Sequence, residues 1–149
     1  MSTLVLEMRP GDMMVVNGAP IRFRNRVRIE LAAKARFLFG KQLMPPEAAT
    51  TPARRIYFAL QTAYIGTEEE RAQGLAAARG LIAEFQAATT SAQARALLAE
   101  ALALAEADDC YRALRLARRV MAHEAEVLGL PAETARYGGD SPRLDASAA

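Results

Sequence analysis

The hydrophobic period changes once along this chain, and that change limits the folds that the chain can form. Apolar residues recur at every second position up to Phe39, most clearly over 21–31, where they alternate with arginines. Pro45-Pro46 then interrupts the chain, and beyond it the apolar residues recur at steps of three and four. The pattern predicts an α+β protein with a small N-terminal antiparallel β-sheet (4–44) followed by a C-terminal bundle of about four helices (45–136).

Local signals place the turns and the helix ends. Asn17-Gly18 is typical of a two-residue hairpin turn, because a type I′ turn needs positive φ at both central residues. Three helix starts are predicted from residues that can cap a helix with their side chains. The caps are Thr51, which is followed by Pro52, Thr67, which forms a capping box with Glu70, and Ser91. Asp108-Asp109 either caps a fourth helix or lies on a kink, and Gly129 ends the last helix. Residues 137–149 are predicted to form a flexible tail.

Charge is distributed unevenly. The chain has a net charge of +2, but residues 1–60 contain ten basic and four acidic residues, a net +6, and 17 of the 19 basic residues are arginine. Guanidinium groups bind phosphate and carboxylate groups in a bidentate fork, so this half favours an anionic partner. A solvated surface explains the excess about equally well.

Three sets of residues are candidates for binding, and each also has a plainer explanation. The first is a row of arginines on an exposed sheet face, which could equally be solvated: Arg22, Arg24, Arg28 and Arg36. The second is a stripe on the helix after Pro52, whose cations and rings could hold phosphates and stack bases, or whose tyrosines could simply be buried: Arg54, Tyr57, Gln61 and Tyr64. The third lies on the last helix, where ordinary surface ion pairs are the simpler reading: Arg112, Arg115, Arg118 and Arg119.

The sequence offers little for catalysis. His123 is the only histidine and Cys110 the only cysteine, so a two-histidine metal site and a disulfide within the chain are both impossible. The glycines form no phosphate-binding loop. We therefore expect a binding protein without catalytic residues, metal or cofactor. The single cysteine, and the lack of a signal peptide or a membrane-spanning run, predict a cytoplasmic protein.

The N-terminal half also carries a specific order of short motifs. Their residues are Leu4, Leu6, Pro10-Gly11-Asp12, Val16-Asn17-Gly18-Ala19, Met44-Pro45, Glu47-Ala48 and the run from Thr51 to Gln61. In this order and content the chain resembles the FlbT family of flagellum biosynthesis repressors over about 4–65. Beyond Thr67 it is similar in length and character only.

The resemblance implies a post-transcriptional regulator that binds the 5′ untranslated region of flagellin mRNA, lowers its translation or lifetime, and acts alongside the small regulator FlaF. In that reading the sheet arginines and the pair Arg54-Arg55 contact phosphates, while Tyr57 and Tyr64 stack on unpaired bases. Some family members activate flagellin production, so the sign of the regulation stays open.

Two other readings also stay open. In the first, the apolar helix around 56–64 and the alanine-rich helices bind flagellin or FlaF, as an adaptor or chaperone would. That helix could also support a homodimer. In the second, the chain is a structural piece of a larger flagellar assembly.

Overall fold

The structure is a computed structural model, and it describes residues 2–32, 35–130 and 144–148. The elements are β1 (Ser2–Met8), β2 (Met13–Val16), β3 (Ala19–Arg22), β4 (Val27–Leu31), β5 (Phe37–Phe39), α1 (Pro52–Ile65), α2 (Glu68–Ala88), α3 (Ala92–Glu106), α4 (Cys110–Leu128) and β6 (Leu144–Ala148). The predicted α+β class, with strands first and four helices after them, is confirmed. No helix within the described ranges is long and apolar enough to cross a membrane.

The strands form two three-stranded antiparallel sheets, in the orders β4-β1-β6 and β3-β2-β5. The predicted hairpin turn is present, since Asn17 and Gly18 have φ values of 50° and 85°. The β1–β2 and β3–β4 connections run side by side, and the Phe23 N–H donates to Asp12 O at 2.9 Å. A two-stranded ribbon therefore bends from one sheet into the other. Period-two patterning shows which residues share a face, but it does not show which strands pair.

Two hydrophobic cores meet at β5. The β core lies between the sheets and is built on Leu6, Met8, Met14 and Phe39. The helical core surrounds α1, which packs against α2 and α4. Leu38 points into the helical core while its neighbour Phe39 points into the β core, so β5 belongs to both.

The predicted caps define the helix starts. Thr51, Thr67 and Ser91 each accept a hydrogen bond from the backbone N–H three residues on. Between α3 and α4, Asp108 adopts a left-handed conformation (φ 63°), and the Asp109 N–H donates to Leu104 O at 2.8 Å. This geometry terminates α3. Asp109 precedes α4 but forms no side-chain cap. The Asp108-Asp109 pair is therefore neither a side-chain cap nor a kink within one helix, because it lies in the turn between α3 and α4.

The C-terminal prediction needs a correction. Residues 144–148 form β6, which pairs antiparallel with β1 from Ser2↔Ala148 to Leu6↔Leu144, so a flexible tail does not describe them. β4 pairs with one edge of β1, and β6 covers the other edge. Without β6, the backbone groups along that second edge of β1 would lack partners. Residues 131–143 and 149, which include the rest of the predicted tail, lie outside the described residues.

Candidate nucleic-acid interface

Arginines gather where the β ribbon bends from one sheet into the other. Strand register puts Arg22 opposite Met13 and Arg28 opposite Glu7, on either side of the bend. We call this set the arginine corner; its members are Arg9, Arg22, Arg24, Arg26 and Arg28, and all five are exposed. The bend thus brings these arginine side chains close together, whereas in a flat sheet they would be spread along the strands.

Two acidic residues offset part of this charge. Arg26 Nε donates to Glu7 Oε1 at 2.7 Å, and this contact holds the pKa of the Glu7 carboxyl below its usual value. Asp12 accepts from the Arg9 backbone N–H at 2.8 Å and closes the β1–β2 turn. Within the part of the chain that the structure describes, Arg22, Arg24 and Arg28 take part in no ion pair. The corner therefore keeps a cationic surface.

Arg36 lies elsewhere, which corrects the predicted row of four arginines on one sheet face. β3 and β4 belong to different sheets, and Arg36 lies beside the hairpin tip at the far end of β2. Its backbone exchanges two hydrogen bonds with Asn17, at 2.8 and 3.0 Å. Its guanidinium pairs with Asp108 at 3.3 Å.

The predicted stripe on α1 divides into buried and accessible residues. Tyr57 is only 1 % exposed, and its hydroxyl donates to Gln42 O at 2.7 Å. Gln61 is buried as well and bonds both backbone groups of Met44, at 2.8 and 2.9 Å. For these two residues the plainer explanation, a buried helix, describes the structure, and neither offers a surface to a base.

The rest of the predicted α1 set is more accessible. Arg54 is half-buried and donates to Thr50 Oγ1 at 3.0 Å, so it fixes the loop before α1. Arg55 is exposed, at the edge of a groove of about 380 Å³ between the start of α1 and the end of α2. Leu81, Phe85 and Ala88 supply apolar groups to that groove.

Tyr64 belongs to a cleft of about 280 Å³ between the β and helical halves, which we call the aromatic cleft. It is lined by Leu4, Phe37, Phe39, Gln42, Tyr64 and Tyr111. The rings of Tyr64 and Tyr111 are 5.9 Å apart at 52°, and those of Phe37 and Phe39 are 6.2 Å apart at 18°. Burial raises the pKa of the Tyr64 phenol, although a backbone hydrogen bond from Phe37 and the nearby Arg36 oppose it. Of these rings, sequence reasoning assigned only Tyr64 to a site.

The arginines of α4 lie near the cleft. Arg112 pairs with Asp109 at 3.3 Å, as the simpler reading expects. Arg115 and Arg118 lie beside Tyr111 and Gln42 at the lining of a small neighbouring gap. Arg119 is exposed.

Other chemistry-bearing groups form no site in the described residues. Cys110 is buried, and burial together with Asp108 raises the pKa of its thiol. His123 is half-buried on α4. In residues 2–32, 35–130 and 144–148, no three His, Cys, Asp or Glu side chains lie close enough together to hold a metal ion.

Comparison with known proteins extends these observations. The family model described as "Flagellar protein FlbT" matches residues 4–128. The chain belongs to the FlbT family. A flagellum biosynthesis repressor protein FlbT of Caulobacter vibrioides is 32% identical over 148 residues, which cover 93% of this chain and 98% of that protein.

Two further FlbT relatives also match this chain over most of their length. A probable flagellum biosynthesis repressor protein FlbT of Brucella ovis is 32% identical over 127 residues, 83% of this chain and 81% of the relative. One of Mesorhizobium japonicum is 29% identical over 131 residues, 86% of each chain. No solved structure matches the chain. The FlbT match extends past residue 65 through most of the helical half, so the arginine corner and the aromatic cleft both lie inside it.

Proposed function

We propose that this chain represses flagellin synthesis after transcription, by binding the 5′ untranslated leader of flagellin mRNA in the cytoplasm. The observation that carries the proposal is the arginine corner, where Arg22, Arg24 and Arg28 are exposed at one bend of the ribbon. These relatives are named flagellum biosynthesis repressors, which supports the repressor role.

The corner suits an RNA backbone for electrostatic reasons. Five arginines and two acidic residues, Glu7 and Asp12, lie at the bend, so its local charge is strongly positive. Guanidinium groups bind phosphates in bidentate geometry and release condensed counterions when they do so. A leader held here would be blocked from the ribosome or presented to nucleases, and the chain itself would perform no chemistry.

Salt dependence tests the phosphate contacts. We expect the triple variant R22A/R24A/R28A to bind the leader more weakly. Because each phosphate contact on a single strand contributes about 0.7 to the slope of log Kobs against log salt, its slope should fall by about 2. The measurement is a titration of labelled leader RNA at several salt concentrations, with a scrambled RNA of equal length for comparison.

The matched control is R71A/R79A/R95A, which removes the same charge from α2 and α3. It should change the slope much less than the corner variant. An unchanged slope in the corner variant, or an equal fall in both triple variants, would contradict the assignment of the corner.

A second candidate function is that of an adaptor that binds flagellin or FlaF. The structure weakens its original basis, because most apolar side chains of α1 are buried against α2 and α4 and leave little apolar surface on that helix for a partner. The groove beside Arg55 supplies a different apolar surface, through Leu81 and Phe85. In a binding titration with purified flagellin or FlaF, the adaptor reading expects Phe85→Ala to weaken binding and R22A/R24A/R28A to leave it unchanged.

A further inference from the structure

The aromatic cleft brings together rings that are far apart in the sequence. Phe37 and Phe39 come from β5, Tyr64 from α1 and Tyr111 from α4. Phe39 is fully buried, Tyr64 is half-buried and Tyr111 is 38 % exposed, so the cleft runs from the core to the surface. An exposed aromatic ring beside a partly open cavity offers a face on which a planar ligand can stack.

The size of the cleft restricts its occupant. Pockets for drug-sized ligands usually measure about 300–1,000 Å³, and this cleft of about 280 Å³ lies just below that range. One planar group therefore suits it better than an extended ligand.

Gln42 gives the cleft a polar group. Its backbone oxygen accepts from the Tyr57 hydroxyl at 2.7 Å, and its side-chain oxygen accepts from the Phe39 N–H at 3.4 Å, so the residue is held in place. Gln42 is 8 % exposed and lines the cleft, and a side-chain amide can donate to a ring nitrogen or carbonyl of a base.

Charges around the cleft favour an anionic ligand. Arg36 lies near Tyr64, and Arg115 and Arg118 lie beside Tyr111. Asp108 and Asp109 are also close, but they pair with Arg36 and Arg112. Since Arg36 and Arg112 offset these two aspartates, Arg115 adds a positive charge beside Tyr111, which favours a base with flanking phosphates over an apolar peptide.

We propose that the aromatic cleft binds one unpaired nucleobase of single-stranded RNA, stacked on the exposed ring of Tyr111 with Tyr64 at its edge, and with a flanking phosphate at Arg115. This inference rests on the proposed function, since it adds a second contact on the same RNA. The corner holds the backbone without regard to sequence, and the cleft requires a base that is free of pairing.

Single substitutions at Tyr111 test the stacking. Tyr111→Ala removes the ring, whereas Tyr111→Phe keeps the ring and removes only the hydroxyl. Base stacking on an aromatic side chain corresponds to about a 5- to 150-fold change in affinity, so Tyr111→Ala should weaken binding to this extent and Tyr111→Phe should bind nearly as the parent does. Circular dichroism and the urea midpoint verify that both variants fold, as the exposure of Tyr111 leads us to expect.

Three RNA probes separate this inference from the proposed function. They are the flagellin leader, an unstructured hexaribonucleotide and a blunt double-stranded RNA of the leader's length. Quenching of tyrosine emission reports stacking directly, because the chain has four tyrosines and no tryptophan. The hexaribonucleotide should quench the parent most, Tyr111→Phe less because only Tyr64 then reports from the cleft, and Tyr111→Ala not at all, and the duplex should quench none of them.

Each outcome decides between the two ideas. Leader binding that is equal in the parent and in Tyr111→Ala overturns the cleft and leaves the proposed function standing. Hexaribonucleotide binding that needs Tyr111, without preference for the leader over a scrambled RNA, supports the cleft and overturns the leader-specific function. Binding of the hexaribonucleotide to no form of the protein overturns the cleft, as does flagellin binding that is lost in Tyr111→Ala while RNA binding stays intact.

Discussion

Gly74 lies where α1 and α2 come closest. A Cβ atom added to it would be 2.7 Å from the Ala63 nitrogen and 2.9 Å from the Ala59 oxygen, both backbone atoms of α1. Backbone cannot move aside as the end of a side chain can, so the two helices would have to separate. We expect Gly74→Ala to lower the free energy of unfolding by about 1–3 kcal/mol, although alanine is the better helix former.

Gly80 on the same helix is the matched control for that measurement. A Cβ atom there would have no neighbour within 4 Å, so Gly80→Ala should raise the free energy of unfolding by about 0.5–1 kcal/mol. Urea denaturation of both variants measures the difference. If both substitutions stabilised the chain, the close approach of α1 and α2 at Gly74 would be wrong.

Tyr57 gives stability a dependence on alkaline pH. Burial raises the pKa of its phenol well above the usual value of about 10, so the folded chain keeps a proton that the unfolded chain loses. Its contribution to stability is therefore complete below about pH 10 and declines as the pH rises above that value.

The variant Tyr57→Phe removes both the titration and the hydrogen bond to Gln42 O. At pH 8 we expect its free energy of unfolding to be lower than that of the parent by about 1–3 kcal/mol, because the buried oxygen loses its partner. The difference should shrink above pH 10, because the parent then loses the stability that depends on a protonated Tyr57, whereas the variant has no phenol at this position to titrate. Urea midpoints at pH 8 and pH 10.5 measure this, and a difference that stays constant would contradict it.

At the scale of the element, α1 depends on α4 for its start. Glu124 of α4 is buried, and its carboxylate accepts from the Thr51 hydroxyl and, at 2.9 Å, from the Ala53 backbone N–H. A negative charge at the first turn of a helix also interacts favourably with the helix dipole. The local cap Thr51 is thus reinforced by a residue on another helix.

We expect Glu124→Ala to lower the free energy of unfolding by about 1–3 kcal/mol, since it leaves a buried N–H without its partner. The matched control is Glu126→Ala, which removes an exposed carboxylate of the same helix and should change the value by less than about 0.5 kcal/mol. Chemical denaturation measures both. Equal effects would show that charge, rather than the contact with α1, matters at Glu124.

The elements also show what the sequence can predict. The helix starts follow from caps within three residues of each other, as at Thr67 and Glu70, so local reasoning finds them. Strand pairing and the Glu124 contact join residues far apart in the chain, and no local signal encodes them. The candidate site divides in the same way. The alternation of apolar residues and arginines along the strands predicts the exposed arginines of the ribbon. The aromatic cleft forms only when four segments that are distant in the sequence pack together, so no local pattern predicts it.

At the scale of the whole molecule, β5 joins the two proposed RNA contacts. Met14 and Phe39 pair across β2 and β5, and both belong to the β core on which the arginine corner is built. Leu38, between the two phenylalanines of the aromatic cleft, packs into the helical core. The distance between corner and cleft is therefore fixed by packing rather than by a flexible linker, which suits one RNA strand that contacts both.

If β5 couples the halves, they should unfold together. Leu38→Ala empties a fully buried position and should cost about 2–5 kcal/mol of unfolding free energy. We expect the backbone amide signals of Leu6 in the β core and Leu60 in the helical core to disappear at the same urea concentration, and the substitution to lower both midpoints equally. Residue-resolved NMR during a urea titration measures this. Loss of the Leu6 signal well before that of Leu60 would instead show that the halves are independent, and the corner and cleft would then not be held at a fixed separation.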